Sequence, residues 1–215
     1  MKFALVLSGC GQHDGSETHE VILTLLSLAQ QGINWDAFAP DIVQHHVTNH
    51  LTDSAQPDEN RQVLVESARL TRGHIQVISQ ADLSQYDAII LPGGAGAISN
   101  LCNWYDEGVN FSFEPSVKSF LDKAVQKQLP MGFICIAPMM IPKLFHNANL
   151  TIGNDKSLAQ QIHDLGCHHI ECQADDIVTD SNHRIVSTPA NMVAQDINEV
   201  HEGIFKLVKK LSELR

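Results

Sequence analysis

The sequence lacks the features that several classes of protein require. It has no dense run of lysine and arginine, and its formal net charge is −11 at pH 7, which argues against binding to nucleic acid or to an anionic membrane. No apolar stretch approaches the roughly 20 residues that span a bilayer. The N-terminal segment MKFALVLSGCGQ has no small-residue cleavage site, so we interpret it as a first strand. The five cysteines, an odd number, favour a reducing compartment over a disulfide framework and predict a cytoplasmic protein.

What is present is the pattern of an α/β protein. The 215 residues, 43% of them hydrophobic, are enough for one domain with a large core, and we assign residues 1–215 to it. Continuous apolar runs alternate with amphipathic segments, which predicts a mainly parallel sheet with helices on both faces. Ligands of such folds lie at the carboxyl ends of the strands. Three unusual turns occur at predicted strand ends: SGCG, LPGGAG and the turn at Cys135.

Some element boundaries can also be predicted. Asp14 and Glu17 are spaced as a capping box for the first helix. Residues 41–60 are polar and are expected to form a loop, and HIQVIS is expected to form an edge strand. APMMIPKLFH is predicted to be a helix directly after Cys135. DIVTD and RIVSTPA are predicted to form a hairpin, and a long helix is predicted from NMVAQD to the C-terminus.

Cys135 interrupts an apolar run, MGFICIAPMM, where a strand changes into a helix. A sharp strand-to-helix turn lifts its central side chain above the sheet edge, as in a nucleophile elbow. The N-terminus of a following helix should lower the pKa of the thiol well below its free value of roughly 8.5. Ala137 provides the small residue that such a crowded turn needs. The alternative is a buried thiol that only packs.

Two neighbouring features could assist this nucleophile. The Gly94 N–H, in the glycine-rich turn, could pair with the Ile136 N–H as an oxyanion hole, although the glycines could also serve the turn alone. Glu17, at the start of the first helix, is either a cap or a carboxyl beside Cys135 that moves a proton. Cys10 is either a second reactive thiol or a partly buried loop thiol.

Two further patterns are weaker. GCGQHDG matches a dinucleotide fingerprint in outline, but Cys10 and His13 would crowd the pyrophosphate. The dense stretches HHVTNH and CHHIEC lack a second ligand pair at zinc-finger spacing. His168 and His169 would point to opposite sides of a strand. We therefore predict solvated loop and edge histidines and no metal site.

A set of motifs occurs in order along nearly the whole chain: LSGCGQHDGSETHE, NHLT, ARLTRG, LPGGAGAISNL, GFICIAP, LTIGND, DDIVTD and STPAN. Together they resemble the ElbB proteins, the enhancing-lycopene-biosynthesis or glyoxalase branch of the ThiJ/PfpI group in the class I glutamine amidotransferase-like superfamily. GCGQHDGSE with GFICIAP is specific to this branch, whereas PGG is widely shared.

The resemblance implies a flavodoxin-like three-layer sandwich, a homodimer, and a weak glyoxalase activity that converts glyoxal to glycolate without a cofactor. Cys135 matches the elbow cysteine of the family, and Glu17 matches the acid that contacts it. The resemblance also implies a link to isoprenoid biosynthesis. The expected partner is a small dicarbonyl substrate.

The chain departs from its broader group at the position after the nucleophile. Many relatives have histidine there, where this chain has Ile136, and STPANM stands where true glutaminases carry a His-x-Glu pair. His183 and His201 match no such pair. Glutamine hydrolysis is therefore not expected. The alternative to an enzyme is a redox-sensing or binding module in which Cys135 is oxidised to a sulfinic acid beside Glu17.

Overall fold

A computed structural model describes residues 1–214 of the chain. Its strands are β1 (Lys2–Val6), β2 (Asn34–Ala39), β3 (Thr48–Asn49), β4 (Ser54–Ala55), β5 (Ile75–Val77), β6 (Ala88–Leu91), β7 (Met131–Ile134), β8 (Asn149–Leu150), β9 (His168–His169), β10 (Val178–Asp180) and β11 (Ile185–Thr188). Its α-helices are α1 (Thr18–Gln30), α2 (Val63–Leu70), α3 (Ala95–Ser99), α4 (Trp104–Glu107), α5 (Pro115–Gln126), α6 (Lys156–Asp164) and α7 (Ile197–Glu213).

Seven of the described strands form the central sheet, in the order β10-β11-β7-β6-β1-β2-β5. Every pairing in it is parallel except β10 with β11, which form the predicted hairpin. β5 lies at the other edge, as HIQVIS predicted. The alternation of strands and helices in the sequence therefore correctly predicted a mainly parallel sheet.

Helices cover both faces of this sheet. Strand β1 shows the arrangement: Phe3 and Leu5 belong to one apolar core, and Ala4 and Val6 belong to the other. Helices α1, α2 and α7 contribute to the first core, and α3, α5 and α6 contribute to the second. The flavodoxin-like three-layer fold is confirmed. Within residues 1–214, no helix combines the length and the apolar character needed to cross a membrane.

Three predicted elements differ from the structure. Residues 41–60 include the short antiparallel hairpin of β3 and β4, whose two-residue strands are too short to show a period in the sequence. The segment after Cys135 is a 3₁₀-helix, Ala137–Lys143, with Pro142 inside it. Proline has no N–H to donate and disfavours an α-helix interior. The C-terminal helix begins only at Ile197, where Asp196 caps it.

The sheet order determines which turns are neighbours. β11, β7, β6 and β1 lie side by side and run parallel, so their carboxyl ends meet at one edge. The turns after these four strands carry Asn191, Cys135, the glycines 93–94 and the loop 8–17. One edge of the sheet therefore collects residues that are far apart in the sequence.

Candidate active site

Cys135 occupies the turn at the end of β7. Its φ is +63°, a left-handed conformation that is uncommon for a residue with a side chain. The turn is held by the Cys135 N–H, which donates to the Thr188 carbonyl of β11 at 2.9 Å. Such strain persists only where the surrounding structure enforces it, and it is concentrated at active sites. The predicted nucleophile elbow is therefore present, with a side chain that is 7% exposed.

Two backbone N–H groups, of Gly94 and Ile136, act on the Cys135 thiol and lower its pKa. These are the two donors that the sequence predicted for an oxyanion hole, and the structure brings them together at the sulfur. Gly94 has a φ of +93°, and a Cβ on it would lie 2.4 Å from both the Glu17 nitrogen and the Gly15 oxygen. Only glycine fits this position. The role of the donors in catalysis stays a prediction.

The carboxyl group beside the thiol belongs to Glu20, and the placement of Glu17 there was wrong. Glu20 is fully buried and interacts with the Cys135 thiol, and its Oε2 accepts the Gly93 N–H at 2.9 Å. A Cβ on Gly93 would lie 2.4 Å from Cys135 Cβ and 2.7 Å from Glu20 Oε2, so both side chains lie against the same Cα.

Glu17 is turned towards the start of its own helix. It is the N-cap of α1, and its Oε2 accepts the Glu20 N–H at 2.7 Å. The capping box with Asp14 does not form, because Asp14 accepts the Thr48 N–H at 2.8 Å. Residues three apart share one face of a helix, so the prediction chose the correct face of α1 but named Glu17 in place of Glu20.

Burial dominates the electrostatics of the pair. It raises the pKa of Glu20 to about 7, and the charge of Glu17 adds to this effect. Burial also raises the pKa of Cys135 well above its ordinary value, and the Glu20 carboxyl raises it further, whereas the Gly94 and Ile136 N–H groups lower it. The expected depression of the Cys135 pKa is therefore wrong, because desolvation outweighs the two donors and no α-helix begins there.

Asn191 completes the site, and the sequence analysis missed it. Its Nδ2 donates to Glu17 Oε2 at 3.1 Å and to Glu20 Oε1 at 3.0 Å. The residue before it, Ala190, has a φ of +44°, so the turn after β11 is strained like the turn at Cys135. The signal in the sequence was the strand-end turn STPAN, which stands where glutaminases carry their His-x-Glu pair.

The histidines near this site in the sequence do not contact Cys135 or Glu20. His183 precedes β11, so it lies at the opposite edge of the sheet, where its Nδ1 is 3.0 Å from Asp180 Oδ2. His201 lies on α7 with its Nε2 3.2 Å from Gln30 Oε1. His19 is nearer, with its Nδ1 3.9 Å from Glu17 Oε1, but its side chain is 63% exposed.

Cys10 is half-buried in the loop after β1. Burial raises the pKa of its thiol, the charge of Glu66 adds to this, and Arg69 and a hydrogen bond with Thr18 lower it. These interactions do not involve Cys135, so the structure leaves the role of Cys10 as a second thiol a prediction.

The glycines of the loop 8–17 serve the packing of two loops. The Glu17 N–H donates to the Gly93 carbonyl at 2.9 Å, and the Gly96 N–H donates to the Gly15 carbonyl at 2.9 Å. A Cβ on Gly15 would lie 2.3 Å from the Cys10 nitrogen. The glycine pattern is thus explained by close backbone contacts, without a pyrophosphate.

Histidines of the first half of the chain gather at the same edge of the sheet. His13, His45 and His46 line a cavity of about 430 Å³ with Tyr105 and Ala95. In this group, the Nδ1 atoms of His45 and His46 are 3.0 Å apart. Among the described residues, no group of three or more histidine, cysteine, aspartate or glutamate side chains is arranged to hold a metal ion. The predicted absence of a metal remains a prediction.

Comparison with known proteins gives the family. No family model matches the chain. It is 34% identical to an ES1 protein homolog, mitochondrial, from Rattus norvegicus, over 99% of this chain and 84% of that protein. It is also 34% identical to the glutamine amidotransferase-like class 1 domain-containing protein 3, mitochondrial, of Homo sapiens, over 99% of this chain and 83% of that protein.

Solved structures of other proteins are similar to this chain in fold. An isoprenoid biosynthesis protein with an amidotransferase-like domain from Ehrlichia chaffeensis has a TM-score of 0.93 and 30% identity, over 100% of this chain and 99% of that one. The DJ-1beta protein of Drosophila melanogaster has a TM-score of 0.56 and 17% identity, over 99% of this chain and 94% of that one, which supports the shared fold alone.

The prediction of a cytoplasmic protein is wrong, because the relatives from Rattus norvegicus and Homo sapiens are mitochondrial proteins by name. Its basis was the odd number of cysteines and the lack of a disulfide framework. These features fit a reducing environment, and they do not distinguish the cytoplasm from another compartment of that kind.

The ordered motifs and the relatives both cover nearly the whole chain, and the elbow at Cys135 fits the same assignment. The chain belongs to the ES1 family of glutamine amidotransferase-like class 1 domain proteins.

Proposed function

We propose that the protein is a cofactor-independent glyoxalase that converts glyoxal to glycolate, with Cys135 as the nucleophile and Glu20 as the group that moves the proton. The observation that carries the proposal is the set of groups that act on one thiol: the buried Glu20 carboxyl and the backbone N–H groups of Gly94 and Ile136. Each element of aldehyde addition has a counterpart there.

The first step forms a C–S bond. The Cys135 sulfur attacks one carbonyl carbon of glyoxal, and the carbonyl π electrons move to oxygen to give a hemithioacetal. The oxygen lies beside the carbon attached to the sulfur, within reach of the Gly94 and Ile136 N–H groups that converge on this atom. The proton of the thiol passes through the Glu20 carboxylate to this oxygen, which leaves Glu20 ionised for the next step.

The second step is an internal redox reaction. Glu20 removes the C–H proton of the hemithioacetal carbon and delivers it to the second carbonyl oxygen, which gives an enediol. The hydroxyl on the first carbon then loses its proton to Glu20, which delivers it to the neighbouring carbon. The first carbon is oxidised to a thioester and the second is reduced to a hydroxymethyl group. Because the two changes balance within glyoxal, neither an external oxidant nor a reductant is required. A Glu20 pKa of about 7 suits a group that must both accept and donate a proton near neutral pH.

Water completes the cycle. It adds to the thioester carbon, the C–S bond breaks, and glycolate leaves with the thiol restored. Only 7% of Cys135 is exposed, so a small aldehyde should reach the thiol more easily than a bulky one. Among the described residues, no imidazole is found to act on the Cys135 thiol. This supports the proposal that the protein is not a glutaminase.

The test is a steady-state assay of glycolate formation from glyoxal. We expect turnover by the wild type and by Cys10→Ser, which removes the other thiol at this edge of the sheet, and none by Cys135→Ser. Failure of the wild type to form glycolate, or full activity of Cys135→Ser, would contradict the proposal.

A redox function is the second candidate, because the Gly94 and Ile136 N–H groups act on the sulfur itself. Two equivalents of a peroxide would oxidise the thiolate to a sulfinate and release two equivalents of water or alcohol, and the same donors would bind the sulfinate oxygens. Mass spectrometry after peroxide treatment tests this candidate. A gain of two oxygens on Cys135 in the wild type, lost in Glu20→Leu, is expected if the pair stabilises the sulfinate.

Three wider features are also proposed. We expect residues 1–215 to act as one class I glutamine amidotransferase-like domain and the chain to form a homodimer, which a single unfolding transition and the mass in solution would test. The name of the Ehrlichia chaffeensis protein supports a connection to isoprenoid biosynthesis.

A further inference from the structure

Four N–H groups act on the Cys135–Glu20 pair, two on each partner. On the sulfur side the donors are the backbone N–H groups of Gly94 and Ile136. These N–H groups stabilise the thiolate, so they favour the arrangement in which the shared proton lies on the carboxyl.

On the carboxyl side each oxygen of Glu20 accepts one bond. Oε2 accepts from the Gly93 N–H at 2.9 Å, and Oε1 accepts from the Asn191 amide at 3.0 Å. These donors stabilise the carboxylate, so they favour the arrangement in which the proton lies on the sulfur. Because thiol and carboxyl interact directly, the proton belongs to the pair and not to either residue.

We infer that Asn191 is the positioning residue that decides how the one proton of the pair is divided between Cys135 and Glu20. Of the four donors, three belong to the backbone and are fixed by the turns after β6 and β7. Asn191 is the side-chain donor among these four, and it is an exposed residue that follows the strained Ala190.

The geometry of the amide supports this role. One Nδ2 atom serves both Glu20 Oε1 and Glu17 Oε2, at 3.0 and 3.1 Å. The amide therefore contacts both carboxyl groups and stabilises negative charge on each of them. With Asn191 in place the pair is held towards a protonated thiol and an ionised Glu20. Without it the proton shifts to Glu20, and the reactive thiolate becomes more populated.

The inference rests on the proposed role of the pair, but its test does not use glyoxal. Iodoacetamide alkylates the thiolate form of a cysteine, and peptide mass spectrometry follows Cys135 alone. We expect Asn191→Ala, which loses one partly solvated hydrogen bond to a carboxylate, to alkylate at Cys135 less than about twofold faster at pH 7 and about three- to fivefold faster at pH 8. The gain grows with pH because it is limited by the ionised fraction of Glu20 in the wild type. Asn198→Ala, on the exposed start of α7, is the matched control and should leave the rate unchanged.

A double-mutant cycle separates this role from a merely structural one. In a Glu20→Gln background no carboxylate competes for the proton, so Asn191→Ala should no longer change the rate. An unchanged or slower rate for Asn191→Ala in the wild-type background overturns the inference, and so does an equal acceleration in the Glu20→Gln background. If Asn191→Ala does not fold, Asn191→Ser replaces it in the same cycle. Loss of glycolate formation in the wild type would refute the proposed function and leave this result standing.

Discussion

Gly93 and Cys135 are packed so closely that a Cβ on Gly93 would lie 2.4 Å from Cys135 Cβ. The same Cβ would lie 2.7 Å from Glu20 Oε2 and 2.9 Å from the Ile134 oxygen. We therefore expect Gly93→Ala to lower the free energy of unfolding by about 1–3 kcal/mol, the usual cost of overpacking. It should also speed the alkylation of Cys135, because the thiol and the carboxyl would be pushed apart and the carboxyl would raise the pKa of the thiol less. Urea unfolding and iodoacetamide labelling measure the two effects.

Gly32→Ala provides the control for that substitution. Gly32 has a φ of +66° and open space around its Cα, so alanine there meets backbone strain and no clash. It should cost about 1–2 kcal/mol of stability and leave the labelling of Cys135 unchanged. Equal acceleration of labelling in the two variants would show that the effect follows from stability alone.

The two carboxyl groups at the start of α1 should differ in their effect on catalysis. Glu20→Gln removes the proton-moving group beside the thiol, so we expect a loss of roughly 10²-fold or more in kcat for glyoxal. Glu17→Gln keeps an oxygen that can cap the helix and should retain most of the activity.

Glu17→Gln should also move the acidic limb of the pH–rate profile. The charge of Glu17 raises the pKa of Glu20, so its removal should shift this limb to lower pH. Equal losses of kcat in Glu17→Gln and Glu20→Gln would instead assign the proton transfer to both carboxyl groups.

The contrast between these two residues shows how far the sequence alone could go. The elbow at Cys135 and the turn at Gly94 were predictable, because an apolar run followed by a small-residue turn is a local pattern. The choice between Glu17 and Glu20 was not, because both lie on one helix face and only the packing of α1 against Gly93 decides between them.

Distance along the chain limited the rest. Asn191 follows β11, and no local pattern shows that β11 lies beside β7. The raised pKa of Cys135 could not be predicted for a similar reason, since burial depends on the whole fold. Burial raises this pKa more than the predicted N–H groups of Gly94 and Ile136 lower it.

Burial of Glu20 should make the stability of the protein depend on pH. Its pKa rises from 4.5 to about 7 on folding, so between these values the folded state binds more protons than the unfolded state. Stability should therefore fall as pH rises through this window, by on the order of 3 kcal/mol. Urea unfolding at about pH 5 and about pH 7 measures the slope.

Substitution assigns that slope to one residue. Glu20→Gln should flatten it, because glutamine does not titrate. Glu202→Gln, on the exposed face of α7, should leave it as in the wild type. A slope that survives in Glu20→Gln would place its origin in another group.

Substrate choice should follow from the lack of an imidazole beside the thiol. The amide of glutamine is a poor electrophile whose leaving amine must be protonated, and a positioned base typically contributes roughly 10²- to 10⁴-fold. Glyoxal is a strong electrophile with no leaving group in the first step. We expect glycolate from glyoxal and no ammonia from glutamine, and Cys135-dependent release of ammonia would contradict the proposed function.

Methylglyoxal should turn over more slowly than glyoxal. The Ile136 side chain directly follows the nucleophile, but it packs against both apolar cores. The restriction lies instead in the limited access to Cys135, which is 7% exposed, because an added methyl group must enter the same narrow opening. The ratio of kcat/KM for the two aldehydes measures the effect, and Ile136→Val is the informative variant. If the ratio changes several-fold in Ile136→Val, the side chain and not the opening controls the size of the substrate; an unchanged ratio is expected.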